Sequence, residues 1–246
     1  MAILRAAAAA CVAGLAAAAF RAPPPAKRLG AGAGPLGNDP ADSWLAYAKA
    51  AGKGSRVLSV NMTWTVPAYP KTRSGGNAPG WWFGIEPNPA DVLIQPILAY
   101  GDGTPDYTIF TGFFDWHDGN WVQSTVAPVK PGDVIYGNVT WDAKTSTYTQ
   151  QVGKRGGGAP IVTKVSKADE HAEVFTDVYV VVEHQPNSCS EYPANGNVTF
   201  TDIQISWASG APLTLASWTV APFKPACSSV AKALSANSVQ LSWKTA

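Results

Sequence analysis

The chain has 246 residues, and its 18 Lys and Arg residues nearly balance 17 Asp and Glu residues, which gives a formal net charge of +1. The absence of a basic stripe argues against nucleic acid as a partner. Ten Trp residues and a charged content of 14% favour a β-sandwich or barrel over a helical domain.

Residues 1–19 are predicted to be a cleaved secretory signal peptide. Arg5 precedes an alanine-rich apolar run, and Ala17 and Ala19 fit an A-x-A cleavage site before Phe20. The apolar run is about 14 residues long, which is short for a membrane-spanning helix of roughly 20 residues. We therefore expect no membrane association after cleavage.

Residues 20–38 are rich in Ala, Pro, Gly and basic side chains, and no acid precedes Asp39. This composition is typical of a disordered mature N-terminus, of a propeptide, or of the second half of a bipartite plastid address. The predicted destination is the extracellular space. A plastid and the vacuolar lumen are the alternatives.

Two cysteines, Cys189 and Cys227, remain once the signal that contains Cys11 is removed. An even number of cysteines in an oxidising compartment predicts a disulfide between them. The secretory pathway also agrees with sequons for N-glycosylation at Asn61, Asn138 and Asn197, each followed two positions later by Thr.

Residues 39–246 are predicted to form a single β-sandwich domain that opens with one short helix over 40–51. Asp39 is a suitable N-cap, Pro40 suits the first helical position, and Gly52 can end the helix. Trp44 would lie on its apolar side.

The hydrophobic period changes to two from Val57 onward, where alternate residues up to Val66 are apolar. Gly, Pro, Asn and Asp separate the later apolar runs, and the glycine cluster at 156–158 is interpreted as a turn. Many short strands without intervening helices indicate a sandwich or barrel. The further strands are predicted at 91–100, 107–116, 121–127, 133–141, 145–152, 161–165, 174–183, 198–207 and 213–220.

The usual catalytic and metal-binding patterns do not occur in this sequence. His117, His171 and His184 have no paired spacing and no cysteine companions, so neither a metal site nor a cofactor is predicted. A G-x-S-x-G nucleophile motif is missing, and the predicted disulfide uses the remaining thiols.

Three polar residues stand out on the predicted strands. Gln95 lies among apolar neighbours, Asp115 lies among aromatic residues, and Glu183 ends an apolar run on the same strand face as Tyr179. A buried amide must be hydrogen-bonded, so a structural bridge between strands is the alternative for Gln95. Each acid could equally lie at a strand end and face solvent.

Six segments, taken in order, resemble those of the glutamic peptidases, or eqolisins. The resemblance is carried by Trp64-Thr-Val-Pro, Trp82-Phe-Gly-Ile-Glu86, Leu93-Ile-Gln95, Phe113-Phe-Asp115-Trp116, Val129-Lys-Pro-Gly-Asp133-Val-Ile and Asn197-Val-Thr-Phe-Thr-Asp. It implies a concanavalin-like jelly-roll β-sandwich of two antiparallel sheets and the activity of an acid endopeptidase.

In that family a glutamate acts as general base on a water and then as acid toward the leaving amine, while a glutamine orients the water and stabilises the oxyanion. The resemblance assigns the glutamine role to Gln95. It also implies a cleft shaped by Trp82, Glu86, Asp115 and Trp116.

The family's catalytic glutamate is the first acid of a segment resembling A-E-W-I-V-E. Aligned on the final Glu, this chain has Tyr179 at the catalytic position and Glu183 at the second acid. A tyrosine, with a pKa near 10, cannot replace a carboxylate base at acid pH. The expected catalytic pair is therefore Gln95 and Glu183, with Glu173 (from a shifted register) and Tyr179 as alternatives.

Three hypotheses follow from the sequence. The first is a monomeric, secreted acid endopeptidase of the glutamic type, active or degenerate, with a protein or peptide substrate. The second is a noncatalytic sandwich whose aromatic concave face binds peptide or glycan. The third is a secreted structural protein.

Overall fold

The computed structural model describes residues 43–72, 79–101, 106–117, 119–166, 173–183, 188–222 and 226–245. The predicted signal peptide, residues 20–38, His171 and His184 lie outside these ranges. Within them, no helical segment has the length and hydrophobicity needed to cross a bilayer.

Almost all of the regular structure in the described residues is β-strand. In chain order the strands are β1 (Trp44–Ala51), β2 (Val57–Thr65), β3 (Gly80–Pro87), β4 (Val92–Tyr100), β5 (Tyr107–Asp115), β6 (Asn120–Gln123), β7 (Ala127–Val129), β8 (Val134–Asp142), β9 (Thr147–Lys154), β10 (Ile161–Val165), β11 (Phe175–Glu183), β12 (Asn197–Trp207), β13 (Trp218–Pro222), β14 (Val230–Ser235) and β15 (Ser238–Ser242).

The strands form two antiparallel sheets. The eight-stranded sheet has the order β13-β1-β11-β3-β4-β5-β6, with β7 paired to β5, and the seven-stranded sheet has the order β10-β9-β8-β2-β12-β15-β14. The prediction of an all-β jelly-roll sandwich of two antiparallel sheets is confirmed.

The core lies between the two sheets, as the alternation in β2 predicts. Trp64 of β2 stacks on Phe200 of β12 with ring centroids 5.0 Å apart, and it meets Phe83 of the facing sheet edge-on at 6.0 Å. The eight-stranded sheet is also buried on its other face, where a second apolar cluster includes Trp44, Trp82, Leu93, Ile97, Phe110, Phe114 and Tyr179. We call this second surface the aromatic face.

The predicted helix over 40–51 is wrong, because residues 44–51 form strand β1. This strand pairs with β11 on one side and β13 on the other, so both edges of its backbone are hydrogen-bonded. Ala46, Ala48 and Ala50 are fully buried toward the core. The small side chains of these alanines fit the interior, and sheet pairing outweighs a helix propensity that amounts to only tenths of a kcal/mol per residue.

Other differences concern the ends of elements. The strand predicted at 121–127 divides into β6 and β7, and the one predicted at 213–220 begins only at Trp218, after a 3-10 turn over Leu215–Ser217. The glycine cluster at 156–158 is a turn, as predicted. The disulfide between Cys189 and Cys227 is formed, with the two Cα atoms 5.5 Å apart.

Candidate functional site

Gln95 lies in the middle of β4 on the aromatic face. Its strand neighbours on that face, Leu93 and Ile97, belong to the aromatic cluster, whereas Ile94 and Leu98 point into the core. The Gln95 side chain is 2% exposed. Within the described part of the chain, its Oε1 atom is buried and accepts no hydrogen bond, so this oxygen does not make the strand-bridging bond of the alternative interpretation.

A glycine stands beside Gln95 on each neighbouring strand. Gly112 of β5 pairs with Gln95 directly, and the register that pairs Trp82 with Ile97 places Gly84 of β3 opposite it on the other side. A Cβ atom on Gly112 would lie 2.3 Å from Cη2 of Trp121. The indole of Trp121 therefore lies directly over this glycine.

Gly84 is covered in the same way. A Cβ atom there would lie 2.8 Å from Cδ1 of Leu93 and 3.1 Å from Cζ3 of Trp82. Because both neighbours of Gln95 lack a side chain, Trp82 and Trp121 can lie against the sheet on either side of it. The amide thus occupies a notch between two indole rings.

Tyr179 of β11 is in the same cross-strand row, since it pairs with Gly84. The phenol is fully buried. It meets Trp44 edge-on at 5.2 Å between ring centroids, and Nζ of Lys49 lies 5.0 Å from the centre of its ring. The position that faces Gln95 across one strand therefore holds an aromatic ring.

Two buried carboxylates form the next row of the same face. Glu86 of β3 and Asp177 of β11 pair directly, and they are 0% and 2% exposed. Nζ of Lys49 lies 2.8 Å from Oδ2 of Asp177, so one of the two negative charges is offset by an ion pair. Glu86 is diagonal to Gln95 in the register, a relation in which Cα atoms lie about 7–8 Å apart and long side chains can meet.

Glu183 lies further along the aromatic face. Its carboxylate accepts hydrogen bonds from Nε1 of Trp82 at 2.7 Å and from Oγ of Ser43 at 2.5 Å. Glu183 pairs with Gly80, four residues along β3 from Gly84, which is about 13 Å along the strand. The structure therefore does not bring Glu183 and Gln95 together, and the catalytic role of Glu183 stays a prediction.

Of the remaining sequence-predicted cleft residues, all but Asp115 lie on the aromatic face or against it. Trp116 packs edge-on against Phe114 of the aromatic face, with ring centroids 4.8 Å apart. Asp115 pairs with Val92, a core residue, so its side chain lies on the core side of the sheet and not on the aromatic face. Its Oδ1 accepts a hydrogen bond from the backbone N–H of His117 at 2.8 Å. Trp82 and Glu86 share the face of Gln95.

Glu173 is half-buried and precedes β11. The first residue of that strand, Phe175, pairs with Pro87, the last residue of β3. Glu173 therefore lies past Glu86 along the strands, on the side away from Gln95. In the described ranges, no group of three or more His, Cys, Asp or Glu side chains is arranged to hold a metal ion.

Sequence reasoning missed Asp177, Lys49 and Trp121. Asp177 lies two residues before Tyr179 in the predicted strand 174–183 and therefore shares its strand face. That alternation is the signal that could have identified Asp177. Lys49 was hidden by the helix prediction, because its position on the face depends on β1 being a strand.

Comparison with known proteins agrees with this architecture. No curated protein sequence matches the chain significantly. Among solved structures, the chain is similar to scytalido-glutamic peptidase in complex with a peptide-based transition-state analogue, with a TM-score of 0.60 and 19% identity over 82% of this chain and 98% of that one.

A second solved structure, SCP-B of the eqolisin family in complex with the tripeptide Ala-Ile-His, gives a TM-score of 0.58 and 20% identity over 82% of this chain and 98% of that one. At such identities the likeness shows a shared fold. The sequence model of the peptidase A4 family matches residues 44–243, which include every described strand. The resemblance to glutamic peptidases is thereby confirmed, and the chain belongs to the peptidase A4 family.

Proposed function

We propose that the protein is a peptide hydrolase of the glutamic type, active at acid pH, in which Gln95 and Glu86 perform the chemistry. The observation that carries the proposal is the buried, unpartnered Oε1 of Gln95 next to the Glu86 row on the same sheet face. Peptide is the substrate expected from the family and from the peptide-like ligands of the two similar structures.

The two groups have complementary roles. Oε1 of Gln95 accepts a hydrogen bond from a water molecule, and Glu86 removes a proton as the water oxygen attacks the carbonyl carbon. Nε2 of Gln95 donates to the oxyanion without adding a titrating charge. Glu86 then returns the proton to the leaving amine when the C–N bond breaks.

Glu86 is preferred over the other acids because of its position. Among the described acids, it is the closest to Gln95 in the register, and Lys49 already offsets the charge of Asp177. Glu183 is held by Trp82 and Ser43 at a distance from the amide. Activity at acid pH is expected from the resemblance to the glutamic peptidases, which are acid proteases.

The test is cleavage of acid-denatured haemoglobin or casein between pH 2 and 5 in the presence of pepstatin. We expect Gln95→Ala to lower the rate by about 10²–10³-fold, as for loss of an oxyanion donor. We expect Glu86→Gln to lower it by about 10²–10⁴-fold, as for loss of the proton-transfer group. Glu191→Gln, another buried carboxyl on a different part of the chain, is the matched control and should retain the wild-type rate.

Two results would contradict the proposal at different levels. If the wild-type protein shows no cleavage at any pH in that range, the peptidase function is wrong. If Glu183→Gln abolishes cleavage while Glu86→Gln leaves it unchanged, only the assignment of Glu86 is wrong.

Tyr179 favours a second candidate function, a noncatalytic peptide-binding sandwich. A buried phenol holds the row position across from Gln95, where the resemblance implies the catalytic glutamate. This function predicts that the protein binds peptides with measurable affinity and leaves them intact. A binding assay followed by mass spectrometry of the recovered peptide separates the two candidates.

We also propose that the protein enters the secretory pathway. The disulfide between Cys189 and Cys227 supports an oxidising compartment. N-terminal sequencing of the native protein should find a mature chain that starts at Phe20 or further along. Retention of Met1 in the native protein would contradict the proposal.

A further inference from the structure

A groove of about 450 Å³ lies on the outer surface of the seven-stranded sheet, across β12, β2, β8 and β9. Val60, Met62 and Trp64 of β2 point into the core, so Asn61 and Thr63 point outward into the groove. The groove is thus on the opposite side of the sandwich from Gln95. We call it the amide groove and define it by Asn61, Tyr136, Asn138, Gln151, Arg155 and Gln204.

Four amide side chains form one continuous row along its floor. In the register Gln204 pairs with Asn61, Asn61 pairs with Asn138, and Asn138 pairs with Gln151. With neighbouring strands about 4.8 Å apart, the row is about 14 Å long. Its chemistry is uniform, since each member offers both donors and an acceptor and carries no charge.

Part of this hydrogen-bonding capacity is used by neighbouring side chains. Nδ2 of Asn138 donates to Oδ1 of Asn61, and Oγ1 of Thr140 donates to Oδ1 of Asn138 at 2.7 Å. Each primary amide has two N–H donors and an oxygen with two lone pairs, so these two bonds consume a small part of what the four amides offer. The remaining donors and acceptors of the four amides are suited to a ligand rich in hydroxyl groups.

Tyr136 adds an apolar surface beside the row. A Cβ atom on Gly153 would lie 2.6 Å from Oη and 2.7 Å from Cζ of Tyr136, so the ring lies against the backbone of β9 and depends on the glycine there. Tyr136 is half-buried, with its hydroxyl end over β9. A flat aromatic ring beside amide groups provides stacking and hydrogen bonding together.

The charges at the rim nearly cancel. Nη2 of Arg155 donates to Oγ1 of Thr63 at 3.1 Å and lies 3.8 Å from Oδ2 of Asp202. Asp202 lies in a β-bulge of β12 and has a φ of 53°, a left-handed conformation that Asp tolerates better than most residues other than glycine. β-Bulges redirect side chains and are over-represented next to functional sites.

We propose that the amide groove binds a neutral oligosaccharide. The amides can pair with neighbouring hydroxyl groups through a donor and an acceptor at once, and the Tyr136 ring can pack on the apolar face of a sugar. A ligand with a large net charge gains little here, because Arg155 is paired with Asp202. A linear oligosaccharide also matches a floor that crosses four strands in one direction.

The test is isothermal titration calorimetry of the full chain with cellohexaose, chitohexaose, xylohexaose and maltohexaose as probes. The protein is produced without N-glycans, because Asn61 and Asn138 are sequons and a glycan on either would fill the groove. We expect at least one probe to bind, and we expect Gln151→Ala and Gln204→Ala each to weaken that binding by about tenfold, the effect of about 1.4 kcal/mol in hydrogen bonding.

Gln240→Ala is the matched control, since Gln240 lies on β15 of the same sheet and bonds to Thr199 outside the groove. The Gln240→Ala and Gln95→Ala variants should both bind the oligosaccharide with the affinity of the wild-type protein. Gln204 is exposed, so its variant should fold normally, which a thermal melt checks. The proposal is overturned if no probe binds, if neither groove variant changes the affinity, or if Gln95→Ala abolishes binding, which would place the sugar on the aromatic face. None of these results bears on peptide cleavage.

Discussion

Gln95 is the residue around which the aromatic face is organised. A buried carbonyl oxygen without a hydrogen bond costs about 1–3 kcal/mol, and a donor supplied by water or by substrate removes that cost. Gly84 and Gly112 leave room on both sides of the amide, and the indoles of Trp82 and Trp121 fill that room. The side chain is therefore held in place before any ligand arrives, which is what oxyanion stabilisation requires.

A rescue experiment tests whether Glu86 has replaced the acid that Tyr179 lacks. Because Tyr179 faces Gln95 across Gly84, Tyr179→Glu should place a carboxylate where it can serve the same water. We expect the double variant Glu86→Gln/Tyr179→Glu to cleave haemoglobin at pH 2–5 at least about tenfold faster than the single variant Glu86→Gln. Tyr179→Phe should retain wild-type activity, and a large loss in that variant would assign a role to the phenol itself.

Burial raises the pKa of Tyr192 to about 12, from an ordinary value near 10. Its ring stacks on Trp243, with centroids 5.2 Å apart. Folding therefore favours the protonated phenol, and this contribution to stability is complete below pH 10 and is lost as the pH rises from 10 to 12. The loss amounts to about 3 kcal/mol, from 1.36 kcal/mol per pH unit.

The measurement is urea unfolding at pH 9, 10, 11 and 12, for the wild-type protein and for Tyr192→Phe. The wild-type free energy of unfolding should fall more steeply above pH 10 than that of the variant. Parallel curves for the two proteins would show that the pKa of Tyr192 does not differ between the folded and unfolded states.

At the scale of elements, the sequence predicts strands well where one face is polar and poorly where neither is. The alternation in β2 follows from a solvated outer face, so both its limits and its core residues could be predicted. β1 has apolar residues on both faces because one face packs into the core and the other joins the aromatic face, and local patterns then indicate a helix. The eight-stranded sheet, which contains the site, is the one with such strands.

The same distinction explains the site. Gln95 could be identified because a lone amide in an apolar strand is visible in the sequence and because its segment resembles the family. The direct pairing of Glu86 with Asp177 depends on the register of two strands that are far apart in the chain. No local pattern encodes that register, so the resemblance could name Glu86 only as a cleft residue, and its place beside Asp177 follows from the structure alone.

The cross-strand pair of sequons gives a prediction about glycosylation. Asn61 and Asn138 are half-buried and directly opposite each other, and Nδ2 of one donates to the other. Directly opposed side chains have Cβ atoms about 4.5–5.5 Å apart, which leaves no space for two glycans. We expect glycopeptide mass spectrometry of the native protein to find no molecule with glycans at both sites. Occupancy of both sites on one molecule would contradict the pairing.

At the scale of the whole molecule, the disulfide connects the segment before β12 to the segment before β14. Cys189 and Cys227 are 38 residues apart, and closing a loop of that length stabilises by about 4 kcal/mol in the chain-entropy estimate. We expect the double variant Cys189→Ser/Cys227→Ser to lose about that much free energy of unfolding in guanidinium titrations. At temperatures where the variant stays folded, its peptide cleavage should match the wild type, because the disulfide is not part of the aromatic face. A loss below about 1 kcal/mol would contradict the estimate.

β1 also has a consequence for the order in which the protein is made and folded. Lys49 pairs with Tyr179 on one side and with Thr219 on the other, so β1 leaves the ribosome long before either partner has been synthesised. Contacts between such distant parts of a chain form slowly, and unpaired apolar strands are prone to aggregate while they wait. The eight-stranded sheet is complete only when nearly the whole chain is available. Translation speed and chaperones that hold unpaired strands are therefore expected to affect the yield of native protein.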